Sequence, residues 1–340
     1  MKALVTGGGG FLGGEIVRLL RDRGDSVRSF SRGTYPKLEA LGVEQARGDL
    51  ADAAAVAVAA EGCDVVFHVA AKPGVWGPWE EYYQANVVGT DNVIAACRKL
   101  GIRRLVFTSS PSVTFAGVDQ DGVDESEPYP DRYLAYYPHT KALAEQAVHL
   151  ANGPELATVS LRPHLIWGPG DPHLIPRLIE RARAGKLRRI GRRPKLVDMT
   201  YVENAALAHL QAADRLAAGS PLAGEAYFIS QGEPEPLWDF VNRVLDVAGL
   251  PRVTRSVPAW VAYAAGTVME GAYRLLRLRG EPPMTRFVAR QLSTAHWFDL
   301  SAAMRDFGYA PRVTTAEGLH RLGQWIKLSF TCASGSSPGA

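Results

Sequence analysis

Short apolar runs alternate with longer amphipathic patterns over the first 165 residues, and this alternation constrains the fold more than any other feature. The apolar runs are short enough for strands and lie at residues 3–5, 26–30, 43–46, 65–69, 105–108 and 158–161. The helical patterns between them lie at residues 11–23, 51–60, 79–100 and 136–151. Such alternation is typical of a doubly wound parallel sheet, which binds ligands at the carboxyl ends of its strands.

The pattern loosens after Pro163, where prolines interrupt shorter elements. The helices predicted in this half span residues 175–184, 202–216 and 237–247. We therefore expect an α/β fold of the Rossmann type with a smaller, mostly C-terminal substrate-binding lobe. The nucleotide-binding domain is predicted over residues 1–165, with its sheet completed by later segments, and the lobe over 166–328. The small and polar residues 329–340 predict a disordered tail.

Composition argues against several classes of protein. With 38 basic and 35 acidic residues the net charge is only +3, which does not indicate a nucleic-acid binder. The histidines and the three cysteines lack metal-ligand spacing, so no metal site is predicted. No uninterrupted apolar run reaches the roughly 18 residues of a membrane span. Because the chain starts on a strand-like run without a signal peptide, and its cysteines are odd in number, we expect a cytoplasmic protein with free thiols.

A glycine-rich turn, TGGGGFLG, follows the first predicted strand and opens the first predicted helix. Glycine permits a tight turn and lets the backbone approach a pyrophosphate, and the N-terminus of the helix offers free N–H groups to that anion. A flexible loop is the alternative, but the position between strand and helix favours a nucleotide site. The predicted cofactor contacts in this turn are Gly7, Gly10, Phe11, Leu12 and Gly13.

The ends of the next three strands are predicted to complete the cofactor site. A carboxylate at the second strand end would bond the ribose 2′-hydroxyl of NAD, but this chain has Ser31 and Arg32 there. Arg32 can pair with a 2′-phosphate and Ser31 can donate a hydrogen bond to it, so NADP(H) is preferred while NAD(H) stays open. Asp49 and Leu50 end the third strand, where a carboxylate can accept from the adenine amino group. Ala70 follows the fourth strand and leaves room for the cofactor.

Tyr137 and Lys141 stand four residues apart on a predicted helix. At that spacing two side chains lie on the same face, one turn apart. A nearby ammonium group favours the phenolate, so we expect it to lower the pKa of Tyr137 towards neutral pH. Such a phenol can donate a proton to a carbonyl oxygen or accept one from an alcohol. Since Tyr-x-x-x-Lys is common on surface helices, its weight depends on the elements that precede it.

Ser110 lies in a hydroxyl cluster that closes the fifth predicted strand. Such a cluster is often only turn chemistry, but it comes between the glycine-rich turn and Tyr-x-x-x-Lys. In this order of motifs the chain resembles the extended short-chain dehydrogenase/reductases, over nearly everything up to about Trp325. Within that superfamily it resembles the 3β-hydroxysteroid dehydrogenase branch, through the segments YPHTK at 137–141, RPHLIWGPGD at 162–171 and LVDMTYVEN at 196–204.

The resemblance implies a role for individual residues. Ser110 would orient the substrate oxygen, and Tyr137 would donate or accept the proton. Lys141 would bind the nicotinamide ribose and tune Tyr137. Pro163 and Ile166 match the loop that runs along the nicotinamide.

Other matched positions narrow the chemistry. Asn86 lies in the family's Asn-x-x-Gly-Thr segment and is expected to support a strand end rather than to act in the reaction. His164 lies within the nicotinamide loop, but the sequence indicates no role for it. Sugar dehydratases of the superfamily have an acidic pair after the active-site hydroxyl, whereas Pro111 and Ser112 stand there in this chain. Dehydration is therefore not expected, and simple hydride transfer fits better.

The segments HVAAKPGVWGPW at 68–79 and QANVVGT at 84–90 are similar to those of the bacterial 2-alkyl-3-oxoalkanoate reductases of olefin biosynthesis. This likeness implies that NADPH reduces the ketone of a hydrophobic 2-alkyl-3-oxoalkanoate to the 3-hydroxy acid, with Tyr137 as the general acid. NAD(P)-dependent oxidation of a 3β-hydroxysteroid and epimerisation of a nucleotide sugar stay open as alternatives. A non-enzymatic, cofactor-sensing protein is another, but the presence of Ser110, Tyr137 and Lys141 argues against it.

Several aromatic residues are predicted to surround an oily substrate cleft, or else to belong to the core between the lobes. They are Trp76, Trp79, Trp167, Trp260 and Tyr263.

Three features bear on partners. A basic run at 177–195 is either a solvated face or attracts an anionic substrate, a partner enzyme or a membrane face. Residues 257–278 suit an interfacial helix or a core helix with a basic end. The family resemblance implies a homodimer through the helices at 79–100 and 136–151. We thus expect a hydrophobic small-molecule substrate, with peripheral contact to a membrane or to a partner enzyme left open.

Overall fold

A parallel sheet lies at the centre of the protein, whose computed structural model describes residues 1–334. The strands in chain order are β1 (Lys2–Thr6), β2 (Ser26–Ser31), β3 (Glu44–Arg47), β4 (Val65–His68), β5 (Arg104–Thr108), β6 (Gln120–Val123), β7 (Ala157–Pro163), β8 (Ile166–Trp167), β9 (Arg189–Ile190), β10 (Leu196–Val197), β11 (Thr200–Tyr201), β12 (Ala226–Ile229), β13 (Glu235–Pro236), β14 (Ser256–Val257) and β15 (His296–Phe298). The helices are α1 (Phe11–Asp22), α2 (Pro36–Ala40), α3 (Ala53–Ala60), α4 (Trp79–Tyr83), α5 (Gly89–Leu100), α6 (Tyr136–Ala151), α7 (Leu174–Arg183), α8 (Val202–Arg215), α9 (Leu237–Val247), α10 (Ala259–Leu275), α11 (Arg286–Gln291), α12 (Ser301–Phe307) and α13 (Thr315–Ser334).

Seven strands form the main sheet in the order β12-β7-β5-β4-β1-β2-β3, and every neighbouring pair is parallel. Six of them lie where the sequence predicts strands, which confirms the doubly wound sheet. Strands β4, β5 and β7 are buried along nearly their whole length, and for that reason they read as continuous apolar runs. The strand order reverses between β1 and β4, so a ligand crevice forms at their carboxyl ends.

Helices from both halves of the chain cover this sheet. Helices α1 and α8 pack on one face, and α3, α5 and α6 pack on the other. Helix α8, strand β12 and helix α12 come from the half predicted to be the lobe, yet their apolar side chains join the core of the sheet. The lobe has a second buried cluster around Trp167, Trp238 and Phe240. The predicted boundary at residue 165 therefore does not separate two independently packed cores, because elements from both sides of it share the core of the main sheet.

Helices α6 and α9 begin and end where the sequence predicts them. The helix predicted over 79–100 is interrupted by a π-helical turn at Gln84–Val88, which separates α4 from α5. Helix α13 extends to Ser334, so it overlaps the tail predicted from residue 329, and residues 335–340 lie outside the described part of the chain. Among the described helices, none combines the length and the apolar character needed to cross a membrane.

Candidate active site

The glycine-rich turn closes tightly between β1 and α1. Gly7 has a φ of +72°, in the left-handed region, and its carbonyl accepts a 2.8 Å hydrogen bond from the Gly10 N–H. A Cβ added to Gly13 would stand 2.2 Å from the Gly7 carbonyl oxygen, so a larger residue at position 13 would force the turn and the helix apart. No side chain caps the N-terminus of α1, where Phe11 and Leu12 begin the helix. Its first N–H groups are therefore available to an anion, and the cradle fits the pyrophosphate of a dinucleotide.

The strand ends beside this turn carry the other predicted cofactor residues. A Cβ on Gly7 would lie 3.0 Å from the Cα of Ala70, so the loop after β4 packs directly against the turn. Ser31 ends β2, and its hydroxyl is buried without a hydrogen-bond partner. Arg32, the next residue, is exposed and forms no ion pair within the described residues.

Asp49 and Leu50 follow β3. The Asp49 carboxylate accepts a 3.0 Å hydrogen bond from the Ala51 N–H and is exposed, while Leu50 is buried against Gly89 of α5. One contact at this edge was missed by sequence reasoning: the ring of Tyr35 lies so close above Gly9 that a Cβ there would stand 2.2 Å from it. An aromatic residue shortly after the second strand is the only sequence signal for it.

Lys141 is buried at the carboxyl end of β5. Its Nζ donates a 2.6 Å hydrogen bond to the Thr108 carbonyl oxygen and lies 3.9 Å from the centroid of the Phe107 ring. Burial lowers the pKa of Lys141 to about 7, and the Glu145 carboxylate, one turn further along α6, opposes that shift. The Thr108 hydroxyl is held in turn by the Nε2 atom of His209, at 2.8 Å.

The expected pKa shift of Tyr137 is wrong in direction. Burial raises its pKa, and the hydrogen bond with the Ser110 hydroxyl opposes this rise only in part. Lys141, which was expected to lower the pKa, directs its charge towards the strand end instead. Tyr137 is therefore a protonated phenol at neutral pH, which suits a proton donor.

Ser110 lies between β5 and the 3₁₀ turn Pro111–Thr114. Its hydroxyl oxygen caps that turn by accepting a 3.2 Å hydrogen bond from the Ser112 N–H, and it lies 2.9 Å from the Ser112 hydroxyl. The neighbouring side chain of Ser109 is buried. Of the three serines after β5, Ser110 and Ser112 line the cavity into which Tyr137 also projects.

A buried ion pair that sequence reasoning missed lies behind the Tyr137 helix. Arg162 of β7 pairs with Glu145 of α6 at 2.7 Å, and the Tyr129 hydroxyl donates to the same carboxylate at 2.7 Å. The pairing with Arg162 holds the pKa of Glu145 below its usual range although burial raises it. The charges fix α6 to the sheet, because leaving either one buried alone would be costly.

Asn86 lies in the π-helical turn between α4 and α5. Its side chain accepts a 2.7 Å hydrogen bond from the Lys72 N–H and donates to the Lys72 carbonyl and the Thr140 hydroxyl. It therefore ties the loop after β4 to the Tyr137 helix, as expected for a supporting residue. A π-turn inside a helix is often found at functional sites.

Two neighbouring spaces open beside Tyr137. The smaller is a cavity of about 190 Å³ lined by Ser110, Tyr137, His164 and His296 among others. The larger is a cleft of about 760 Å³ with an aromatic wall. Val75 lines both, so the two spaces adjoin each other at this residue.

The five aromatic residues predicted at the substrate cleft separate into three groups. Trp76 and Trp79 line the larger cleft, as predicted. Trp167 belongs to the buried core of the lobe, against Tyr201 and Phe240. Trp260 is 74% exposed, and Tyr263 packs against the lobe core. Trp167 and Tyr263 thus follow the alternative of a core position, and the prediction is wrong for Trp260. Residue type alone does not tell an aromatic core residue from a lining or a surface residue.

Known proteins resemble the chain over nearly its whole length. The model of the 3-beta hydroxysteroid dehydrogenase/isomerase family matches residues 4–258. A 2-alkyl-3-oxoalkanoate reductase of Stenotrophomonas maltophilia (strain K279a) is 55% identical, over 95% of this chain and 98% of that protein. A sterol-4-alpha-carboxylate 3-dehydrogenase, decarboxylating, of Mus musculus is 36% identical, over 94% and 89%. The structure of a UDP-glucose 4-epimerase from Thermus thermophilus in complex with NAD is 25% identical, over 96% and 99%, with a TM-score of 0.74.

Proposed function

This chain belongs to the 3-beta hydroxysteroid dehydrogenase/isomerase family, and we propose that it is an NADPH-dependent reductase of a hydrophobic 2-alkyl-3-oxoalkanoate. Proteins of this family are NAD(P)-dependent oxidoreductases of CH–OH and ketone groups, and the chain is one of them. The convergence of Ser110 and Tyr137 on one small cavity, next to a buried Lys141, is the observation that carries the proposed reaction.

Each residue of the cavity has a different role in the proposed ketone reduction. When bound, the nicotinamide supplies the hydride. Ser110 holds the ketone oxygen through a hydrogen bond, and Tyr137 donates a proton to that oxygen as negative charge develops on it. The raised pKa of Tyr137 favours this direction, because the phenol is protonated at neutral pH. Lys141 is assigned to the nicotinamide ribose on the family resemblance, and Pro163 and Ile166 to the nicotinamide loop.

The preference for NADPH rests on the end of β2. A 2′-phosphate has oxygens that Arg32 can pair with, and it would give the buried Ser31 hydroxyl the partner it lacks. No carboxylate stands at this strand end to bond a 2′-hydroxyl.

The two spaces beside Tyr137 support the substrate class. A β-keto acid head is small and polar, which suits the 190 Å³ cavity, while alkyl tails suit the larger cleft with Trp76 and Trp79. The names of both relatives specify a carboxylate on the carbon next to the one that is oxidised or reduced. Oxidation of a 3β-hydroxysteroid that bears such a carboxylate is therefore the second candidate function.

The test is a screen of NADPH oxidation and NADP⁺ reduction by the purified protein. The panel contains a 2-alkyl-3-oxoalkanoate, its 3-hydroxy acid, a 3β-hydroxysteroid with and without a 4-carboxylate, and UDP-glucose. We expect turnover of the oxo acid and the hydroxy acid, because both fit the cavity and the cleft. Turnover of the steroids alone would establish the second candidate. Conversion of UDP-glucose alone, followed by chromatography because epimerisation consumes no net cofactor, would overturn both.

A membrane surface is the proposed source of the hydrophobic substrate. Helix α10 exposes Trp260, Val268 and Leu275 by 74, 71 and 83%, and their spacing places them on one side of the helix. The helix is followed by Arg277 and Arg279, which complement anionic lipid headgroups.

Co-sedimentation with vesicles tests this contact. We expect binding to vesicles that contain an anionic lipid, weaker binding to zwitterionic ones, and loss of binding in Trp260→Ser/Leu275→Ser. The matched control is Val58→Ser. Val58 is 64% exposed, but it belongs to α3, a helix that covers the main sheet and is distant from α10 in the sequence. Equal binding by both variants would contradict the contact.

The homodimer through α4, α5 and α6 stays a prediction. Light scattering checks it, and a homodimer should give the mass of two chains.

A further inference from the structure

Two histidines, His164 and His296, line the cavity of Ser110 and Tyr137 and have no part in the proposed proton transfer. They come from distant segments, the loop between β7 and β8 and the strand β15, and their ring centroids lie 5.7 Å apart in an edge-to-face arrangement. Both are almost completely buried. A pair of buried imidazoles needs partners for its nitrogen atoms, and the hydrogen bonds show which nitrogens have them.

The His164 ring is fixed through Nδ1. That atom lies 2.7 Å from the Asp198 carbonyl oxygen, which can only accept, so Nδ1 carries the hydrogen. The His164 backbone is held by the Ile229 carbonyl and the Thr200 hydroxyl. Nε2 is left with a lone pair and no partner among the described residues. Leu165, the next residue, has a φ of 37°, which is strained for a non-glycine residue, so the loop is held in place at a cost.

The His296 ring is fixed through the opposite nitrogen. Nε2 lies 2.7 Å from the Thr294 hydroxyl, whose own hydrogen is donated to the Arg290 carbonyl, so Nε2 carries the ring hydrogen. Nδ1 is buried and has no hydrogen-bond partner. Each ring therefore keeps one donor for the protein and has one unpartnered nitrogen.

We propose that His164 and His296 together bind the carboxylate of the substrate, and that the pair takes up one proton when it does so. This inference rests on the proposed function, because it assigns the acid group of a 3-oxo acid to a place in the same cavity. In such an acid only one carbon separates the carboxylate from the ketone. The site for the carboxylate must therefore lie within the cavity that holds Ser110 and Tyr137, as the two histidines do.

Proton uptake follows from the charges around the pair. Without a ligand both rings are neutral at pH 7, since burial lowers the pKa of His164 to about 4 and of His296 to about 3. The other titratable groups near them are Asp119 and Lys195, which pair with each other, and their charges act on His296 in opposite directions. The third titratable group is Asp198. Its carboxylate accepts hydrogen bonds from the Ser230 hydroxyl and from the backbone N–H groups of the two residues after Ser230.

No fixed cation among these groups is left for a substrate carboxylate. A neutral imidazole with a free lone pair repels an anion, but a protonated one donates a charge-assisted hydrogen bond to it. Binding of the carboxylate is therefore accompanied by uptake of one proton from solvent, onto His164 Nε2 or His296 Nδ1. Tyr137, on the same cavity, keeps its own proton for the ketone oxygen.

Calorimetric titration of the NADPH-loaded protein tests this inference in a complex that cannot turn over, because the cofactor and the 3-hydroxy acid are then both in their reduced forms. A short-chain 2-alkyl-3-hydroxyalkanoate and its methyl ester are titrated at pH 7.5 in two buffers with different ionisation enthalpies. We expect uptake of about one proton with the acid and none with the ester, because only the acid brings a negative charge into the cavity. Absence of proton uptake with the acid would overturn the inference.

Two variants remove only the unpartnered nitrogens. His164→Asn keeps a donor where Nδ1 bonds Asp198, and His296→Gln keeps a donor where Nε2 bonds Thr294. We expect each to weaken binding of the acid by roughly 10- to 100-fold, the range of a hydrogen bond to a charged group. Binding of the ester and of NADPH should stay within about twofold. His320→Gln, an exposed residue on α13, is the control and should change neither.

Equal loss for the acid and the ester in these variants would mean that the histidines only support the cavity, which also overturns the inference. If one variant does not fold, as judged by thermal unfolding, the other variant decides the question. A wild-type protein that reduces 3-oxo acids but takes up no proton on binding the 3-hydroxy acid would retain the proposed function and lose only this carboxylate site.

Discussion

The cofactor edge and the substrate cavity of this protein are built in different ways. The cofactor edge consists of one short run, Gly7 to Gly13, and of residues directly after β2, β3 and β4. It presents mainly backbone and small side chains. The cavity is closed by segments more than a hundred residues apart, such as Ser110 after β5 and His296 on β15. Its wall consists of side chains whose hydrogen bonds decide what it can bind.

This difference separates the reaction from the substrate. In the proposed function, hydride transfer depends on the turn and on the pair Tyr137 and Lys141, which the sequence marks through short-range spacing. In the same proposal the cavity and the cleft select the ketone, and their walls depend on how the lobe folds back onto the sheet. Changes at the cofactor edge should therefore affect every substrate alike, whereas changes in the cavity should separate one substrate from another.

The largest effect is expected in the glycine turn. In Gly13→Val the new side chain collides with the Gly7 carbonyl, 2.2 Å from the Cβ position, so NADPH binding should be lost with every substrate. Stability should fall by about 1–3 kcal/mol, as in other overpacked sites. Fluorescence titration and urea unfolding measure the two effects.

The neighbouring Gly14 provides the matched control. A Cβ at Gly14 would lie 3.5 Å from the Gly8 carbonyl oxygen, an ordinary contact. Gly14→Ala should thus keep NADPH affinity and gain up to about 1 kcal/mol from the better helix former. If Gly13→Val bound NADPH as well as Gly14→Ala, the close approach at the turn would have no part in cofactor binding.

A smaller and selective effect is expected at the end of β2. Arg32→Ala should lower the ratio of NADPH to NADH affinity by roughly 10- to 100-fold, because one charge-assisted pair with the 2′-phosphate is removed. Arg103→Ala is the control. Arg103 is also exposed, but it precedes β5 and so lies at the amino ends of the parallel strands, away from the cofactor residues at their carboxyl ends. Equal weakening of both cofactors in Arg32→Ala would show that Arg32 does not bind the phosphate.

The smallest effect concerns the stability of the fold at acid pH, to which buried histidines of the sheet and of the cavity both contribute. Burial lowers the pKa of His68 and His209 in the sheet half to about 3 and 4, as it does for the cavity pair. Below about pH 6.5 the unfolded chain binds protons at these positions and the folded chain does not, so stability falls as the pH falls towards 4.

Removal of one such histidine should reduce this dependence. Urea unfolding at pH 7 and pH 5 is expected to show a smaller loss in His68→Gln than in the wild type, by up to about 1.4 kcal/mol per pH unit. An unchanged pH dependence in this variant would mean that His68 is not buried as a neutral ring between Thr6 and Thr90, to which it bonds at 2.8 and 3.0 Å.

The sequence predicts the sheet half well because its signals are local. Six of its seven strands and the bounds of α6 follow from apolar periodicity, and the glycine spacing marks the turn. A later segment was expected to complete the sheet, but strand β12 was not located, because it lies in the proline-rich half, from which it returns to pair with β7. The spacing of Tyr137 and Lys141 predicts a shared helix face, but it contains no information on burial, which reverses the expected pKa shift of Tyr137.

The cavity could not be predicted in the same way. His164 was found without a role because its partner, His296, is more than a hundred residues away. Trp167 carries the same kind of signal as Trp76, yet it packs in the lobe core while Trp76 lines the cleft. The Glu145–Arg162 pair became visible only once β7 and α6 were packed together.

Proton donation by Tyr137 to the ketone oxygen is the step on which the proposed reaction depends most. Turnover of a 2-alkyl-3-oxoalkanoate and NADPH affinity are to be measured together in Tyr137→Phe, which removes only the phenolic hydroxyl. We expect kcat to fall roughly 10²- to 10⁴-fold, the usual contribution of a general acid, while the Kd for NADPH stays within about twofold. A variant that reduces the ketone at the wild-type rate would contradict it.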